Sequence, residues 1–154
     1  MSIDVNGIAE TIIALTRDRR SEITNLKLQK LLYYTQAWNL AFTGNPLFLE
    51  SIEAWVHGPV VPSIFRRFRE YRWMPINSAV EPYDDGGVRR HIESVLNAYD
   101  KFDATQLERL THSEDPWKIA RGNLAPDMSS RNVISNIVMR DYYRARLACA
   151  NAKR

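Results

Sequence analysis

The chain has a single cysteine, Cys149, in 154 residues, so no disulfide can close within it. A reducing, cytoplasmic setting is the expectation. No apolar run approaches the roughly 18 residues that a membrane span requires. The start, MSIDVNGIAETIIALTRDRR, is acidic and has no basic leader region, so no signal peptide is expected. Patterns of the type GxxxxGK(S/T), GxGxxG and GxSxG are absent, which removes the usual phosphate cradles and the nucleophile elbow. There are only three histidines, His57, His91 and His112, and they are far apart in sequence. No internal repeat or low-complexity segment stands out.

What is present fits an ordinary soluble globular protein. Hydrophobic residues make up 45% and charged residues 25%, which argues against disorder. The length suits one domain over residues 1–154 with a substantial core. The net charge of +3 is mild but uneven. From Trp117 onward there are eight basic residues (Lys118, Arg121, Arg131, Arg140, Arg144, Arg146, Lys153, Arg154) and two acids (Asp127, Asp141), giving +6 there and −3 elsewhere. Such a tail is either a solvated helix face or a surface for an acidic partner.

Periodicity predicts a mainly α protein, a single-domain helical bundle of about six helices with at most a minor short strand pair. A first helix is expected over Val5–Asp18, capped by Asp4 or Asn6. A second, over Asn25–Thr43, starts at Thr24 or Asn25. Leu28, Leu31, Leu32, Thr35, Trp38 or Asn39, and Phe42 form its core-facing stripe. Gly44 and Pro46 stop it. Ile52, Ala54 and Val56 alternate with Glu53 and Trp55, which permits a strand or an extended loop, and His57-Gly58-Pro59 is a turn. A third helix is expected over Ser63–Arg72 after Pro62, with Ile64, Phe65 and Phe68 inward and the arginines outward. Residues Trp73–Gly87 read as a surface loop, with Gly86-Gly87 a turn. Further helices are expected at Val88–Phe102, after Asp103 or Thr105, after Asp115-Pro116, and from about Ser129 or Ser130 to Ala150. Val133 or Ile134, Ile137 or Val138, and Tyr142 supply the inner face of the last one.

Chemistry-bearing residues are few. His112, Glu114 and Asp115 form the one compact cluster, but Pro116 follows at once, which favours helix capping over metal ligation. Cys149 sits among alanines with no histidine near it in sequence, which favours small-residue packing over nucleophilic catalysis. His57 reads as a partner contact or as a histidine bonded to backbone at a turn. Lys30 and Tyr34, four apart, share a helix face. Two readings stand for them: an exposed interface pair, or a half-buried tyrosine with its hydroxyl at the rim. Most of the four tryptophans belong to the core. Trp73, in the loop after Tyr71-Arg72, is the candidate exposed anchor, with Arg66, Arg67, Arg69 and Arg72 nearby.

Two separated motifs carry a resemblance. Leu28-Gln29-Lys30-Leu31-Leu32-Tyr33-Tyr34 is followed by Gly44-x-Pro46-Leu47-Phe48 and by Ile52-x-Ala54-Trp55-x-x-Gly58-Pro59-Val60. Farther on comes Leu110-Thr111-His112-x-Glu114-x-Pro116-Trp117, and then a closing segment Ile134–Tyr143. Together these resemble the SocA-like Panacea antitoxin domain family, including its phage-associated GepA-type members. The resemblance implies a small helical domain that neutralises a cognate toxin by direct protein–protein binding. It also implies no catalytic residues, no enzyme activity and no cofactor. One member resembles a proteolytic adaptor that delivers its toxin to a bacterial AAA+ protease. Some members carry an additional N-terminal domain, and a fused DNA-binding domain is not expected here. A nucleic-acid-binding regulator is the reading the basic tail would motivate, but the basic residues are scattered and show no helix-turn-helix signature. The expected partner-binding set is Lys30, Tyr34, His57, Arg66, Arg67, Arg69 and Trp73; no catalytic, cofactor-binding or metal-binding residue is expected.

Overall fold

The Asp4 carboxylate accepts from the Asn6 N–H and opens α1 (Val5–Asp18). Thr24 caps α2 (Asn25–Thr43) by accepting from the Lys27 N–H, and Gly44 ends it with a φ of 77°. Two strands follow, β1 (Glu53–Trp55) and β2 (Gly58–Val60), paired antiparallel with Glu53 opposite Val60. Then come α3 (Pro62–Arg67), a 3-10 turn at Arg69–Tyr71, α4 (Gly86–Tyr99), α5 (Ala104–Ser113), α6 (Asp115–Arg121) and α7 (Asn136–Ala152). This is the computed structural model of the chain, and it describes residues 2–152. The mainly α reading holds, with seven α-helices and one short strand pair among the described residues. Lys153 and Arg154 of the basic tail lie outside the described residues.

Helix α2 is the axis around which the rest is built. An amphipathic stripe was expected, yet every residue from Lys27 to Ala37 is buried. Helices α1, α3, α4, α5 and α7 and strand β2 all pack on it, so no face is left for solvent over that stretch. A helix buried all round shows no strong hydrophobic asymmetry. Its polar side chains must therefore find partners inside the protein. One apolar cluster runs from Val5 and Ile8 in α1 through Leu28, Leu31 and Leu32 to Ile92, Leu107, Trp117, Met139 and Tyr143.

Several local expectations are corrected. Phe42 is 57% exposed rather than core. It lies beyond the fully wrapped part of α2, tilted against Trp38, and with Tyr99 and Leu147 it lines a recess between α2, α4 and α7. The third helix ends early, because the chain breaks at Phe68 and Arg72 takes a positive φ of 54°. Gly86 and Gly87 are not a turn; they form the first turn of α4, which Asp85 caps by accepting from the Val88 N–H. Neither Glu114 nor Asp115 caps α6 with its side chain: Glu114 occupies the cap position but points elsewhere, and Asp115 is already helical. The last helix starts at Asn136, several residues later than expected. The segment before it is extended against β1: the Ala54 N–H donates to Asn132 O, and the Ile134 N–H donates to Ile52 O. That shifts the inner face of α7 and its lead-in to Ile134, Met139 and Tyr143 and leaves Val133 and Ile137 exposed. Cys149 is exposed on α7 rather than packed.

Gly58 shows how tightly the hairpin turn seats on α2. Its φ is 108°, and a Cβ there would lie 2.8 Å from Lys30 Cε and 3.0 Å from Thr111 Oγ1. Gly58→Ala combines positive-φ strain with overpacking and is expected to cost about 2–5 kcal/mol in urea unfolding. Gly122 also has a positive φ, 61°, but nothing lies within 4 Å of its would-be Cβ. Gly122→Ala is expected to cost only about 1–2 kcal/mol, the left-handed penalty alone. Equal costs at the two positions would contradict the seating of Gly58 on Lys30.

Candidate functional site

The polar residues of the first motif are fasteners. Gln29 Oε1 accepts from the Val61 N–H at 2.9 Å, and Gln29 Nε2 donates to Asn25 Oδ1. Asn25 Nδ2 in turn donates to Phe65 O at 3.0 Å. Lys30 Nζ donates to Pro59 O at 3.0 Å. One side of α2 thereby grips β2 and the start of α3. About two turns on, Gln36 Oε1 accepts from the Leu47 N–H, and its Nε2 donates to Phe48 O, fixing the chain that leads into the hairpin.

The second motif closes the other side. Glu114 Oε1 accepts from Tyr34 Oη at 2.5 Å and from Tyr143 Oη at 3.1 Å, and the Tyr33 and Tyr143 hydroxyls meet at 2.9 Å. This is why Glu114 does not cap α6: its carboxylate joins α2, α6 and α7 instead. Tyr34 also stacks on Tyr99, with ring centroids 3.9 Å apart. His112 stacks on Trp117, and Trp117 Nε1 donates to Trp55 O. Arg121 lies over the Trp117 ring and donates to Ala54 O and to the carbonyls of Ala125, Pro126 and Met128, which shapes the loop ahead of α7.

The expected partner-binding residues therefore separate. Lys30 and Tyr34 are both 0% exposed, so they present no surface; the interface reading of this pair is corrected, and burial goes beyond the half-buried alternative as well. His57 is exposed at the hairpin turn, and its Nδ1 lies 2.6 Å from Glu108 Oε1, so its side chain meets a carboxylate rather than backbone. Arg67 is exposed but tied to the protein's own α1, with Nη1 donating to Asn6 at 2.9 Å and Nη2 3.5 Å from Glu10. Arg66 and Arg69 are exposed, and neither has a carboxylate within 4.0 Å among the described residues. Trp73 stands out at 79% exposed, beside exposed Met74.

Sequence reasoning missed three neighbours of these residues. Trp55 and Phe65, half-buried and in edge-to-face contact at 5.1 Å, form the floor between two recesses. Arg131 reaches the same place from the far end of the chain, because residues 132–134 run beside β1. Its basic character was visible in the tail, but no local pattern located it next to α3. Among the described residues no three histidine, cysteine or acidic side chains could hold a metal, and no helix is long and apolar enough to cross a membrane.

Burial lowers the Lys30 amine to about 7, against the opposing pull of Glu108. The unfolded chain then binds the extra proton between about pH 7 and 10.5, so this residue makes stability rise with pH across that window and leaves it flat below. Lys30→Met is expected to remove a rise of about 3–5 kcal/mol, read from urea unfolding at several pH values. An unchanged slope would contradict the burial of a free amine. Burial raises the Glu114 carboxyl above its ordinary 4.5, with the hydrogen bonds from Tyr34 and Tyr143 and the charge of Arg146 opposing. Its stabilising contribution is full below pH 4.5 and declines as pH rises through the raised value. Glu114→Gln keeps an acceptor for Tyr34 and should flatten that decline in a thermal-melt series. Glu114→Leu strands the Tyr34 hydroxyl and is expected to cost about 1–3 kcal/mol; a neutral Glu114→Leu would argue against the network.

Most of these fasteners are motif residues, among them Gln29, Lys30, Tyr34, Glu114 and Trp117. The family description "Antitoxin SocA-like, Panacea domain" matches residues 28–118, which reach from the first buried leucine of α2 into α6. Antitoxin SocA of Caulobacter vibrioides (strain NA1000 / CB15N) is 27% identical over 157 residues, covering 93% of this chain and 84% of that protein. No solved structure matches the chain. With the match spanning more than half of its length, the chain belongs to the SocA-like antitoxin, Panacea-domain family.

Proposed function

We propose that the chain is an antitoxin that neutralises a cognate toxin protein by binding it directly, through the basic and aromatic surface around α3 and Trp73. Membership of an antitoxin family supports the role. The observation that carries the surface is a division of labour: the motif residues Gln29, Lys30, Tyr34 and Glu114 are buried, whereas Arg66, Arg69 and Trp73 are exposed. Tryptophan and arginine are the side chains that most often anchor protein interfaces. Exposed arginines without a carboxylate of their own are free to pair with a partner's acids. His57 and Arg67, at the edges of this face, would contribute less, because each already holds an acceptor within the chain.

The basic tail gives weaker support to a protease-docking or nucleic-acid reading. Arg121 is buried, Arg144 donates to Ala41 O, and Arg146 sits 4.0 Å from Glu114. Those charges are engaged within the fold rather than gathered into one stripe.

Co-expression with the product of the adjacent open reading frame tests the role. That product is expected to arrest growth alone and to be relieved by this chain; a product harmless alone, or toxic and not relieved, contradicts it. Trp73→Ala is expected to weaken the purified complex by at least about 2 kcal/mol, some thirtyfold in Kd by calorimetry. An undiminished affinity would move the contact surface elsewhere.

A further inference from the structure

The Trp55–Phe65 floor divides two recesses of different character. The larger, about 520 Å³, is walled by Leu26, Val56, Val60 and Phe65. The smaller, about 210 Å³, is bounded by Arg66, Arg69 and Arg131, with Glu53 at its side. Arg131 borders both. Glu53 makes no ion pair with the arginines: its Oε1 accepts from Trp55 Nε1 at 2.8 Å, and no guanidinium lies within 4.0 Å of it among the described residues. Three guanidinium groups against one carboxylate leave this small recess with a net positive charge, which an incoming anion would offset.

We propose that this pair of recesses is a docking groove for an acidic peptide segment of the partner protein. A bulky apolar side chain enters the larger recess, and a neighbouring carboxylate sits among Arg66, Arg69 and Arg131. The charge complementarity selects the occupant. Guanidinium groups bind carboxylates in paired, directional hydrogen bonds, and the apolar wall beside them accepts a side chain that a phosphate backbone does not offer. The groove is held open by the fasteners, since Gln29 bonds to Val61, Asn25 to Phe65, and Arg121 and Trp117 to β1. The identity of the partner as a toxin rests on the antitoxin reading; the chemistry of the groove does not.

The experiment is selection of phage-displayed random dodecapeptides on the purified full chain, followed by fluorescence anisotropy with the labelled consensus peptide. Enriched peptides are expected to carry Asp or Glu beside Leu, Phe, Met or Trp. Replacing those acids by Asn or Gln is expected to weaken binding by at least about tenfold, as is the Arg66→Glu/Arg131→Glu double variant. The milder Arg69→Ala is expected to weaken it severalfold with an unchanged thermal midpoint, which separates lost contact from lost folding. The proposal is overturned if no peptide is enriched, if enriched peptides lack acids, or if the amide peptide and the double variant bind as before. It is also overturned if labelled oligothymidylate binds more tightly than the consensus peptide and loses binding in the same variants. Growth rescue separates the two readings. Rescue that persists while peptide binding ignores the arginines removes the groove and keeps the antitoxin; arginine-dependent peptide binding with no rescue does the reverse.

Discussion

Burial of α2 on every side from Lys27 to Ala37 is the constraint on which the rest of the structure depends. Every residue of that stretch is buried, yet it includes lysine, glutamine, threonine and two tyrosines. A buried polar group without a partner costs about 1–3 kcal/mol; Thr35 finds its partner within the helix, at Leu31 O, and the longer side chains dictate what must lie opposite them. Gln29 requires the Val61 amide, Lys30 the Pro59 carbonyl, Gln36 the Leu47 and Phe48 backbone, and Tyr34 the Glu114 carboxylate. The hairpin, the start of α3 and the junction of α5 with α6 are placed by these demands. Hydrophobic burial supplies the driving force, and the polar set selects the arrangement.

The same constraint separates scaffold from surface. A lysine and a tyrosine one helical turn apart invite an interface interpretation, but here both are consumed in holding the hairpin and the tyrosine–glutamate network. What they position is the face beyond: Trp55 and Phe65 as a floor, Arg66, Arg69 and Arg131 around it, and Trp73 projecting past the 3-10 turn. A scaffold whose recognisable residues are internal leaves its exposed side chains free of the demands of folding.

Legibility in the sequence followed the range of the interactions. The extents of α1 and α2 were readable because their stops are local: Asp4, Thr24 and Gly44 act within a turn of themselves, and only the choice between neighbouring cap residues stayed open. The exposure of Trp73 was readable because it follows a helix and opens a proline-bearing loop. Long-range pairings were not. Nothing near Ser130 announces that residues 132–134 will lie along β1, so α7 was begun too early and its inner face misplaced. Glu114 sits where a cap belongs, and only the fold reveals that Tyr34 and Tyr143 claim it. Arg131 was visible as a charge and invisible as a neighbour of Arg66. The burial of Lys30 and Tyr34 is not legible for a related reason, since a helix wrapped on every side carries no one-sided apolar stripe.

On the proposed reading, partner recognition lies on the hairpin–α3 face and not on the motif residues beneath it. Hydrogen–deuterium exchange of the full chain, free and bound to its protein partner, measures this most directly. The account predicts new protection concentrated in residues 53–73 and 129–132, with α2 amides slow to exchange in both states. Protection confined to the recess beside Phe42 and Leu147, with the hairpin–α3 face unchanged, would contradict it.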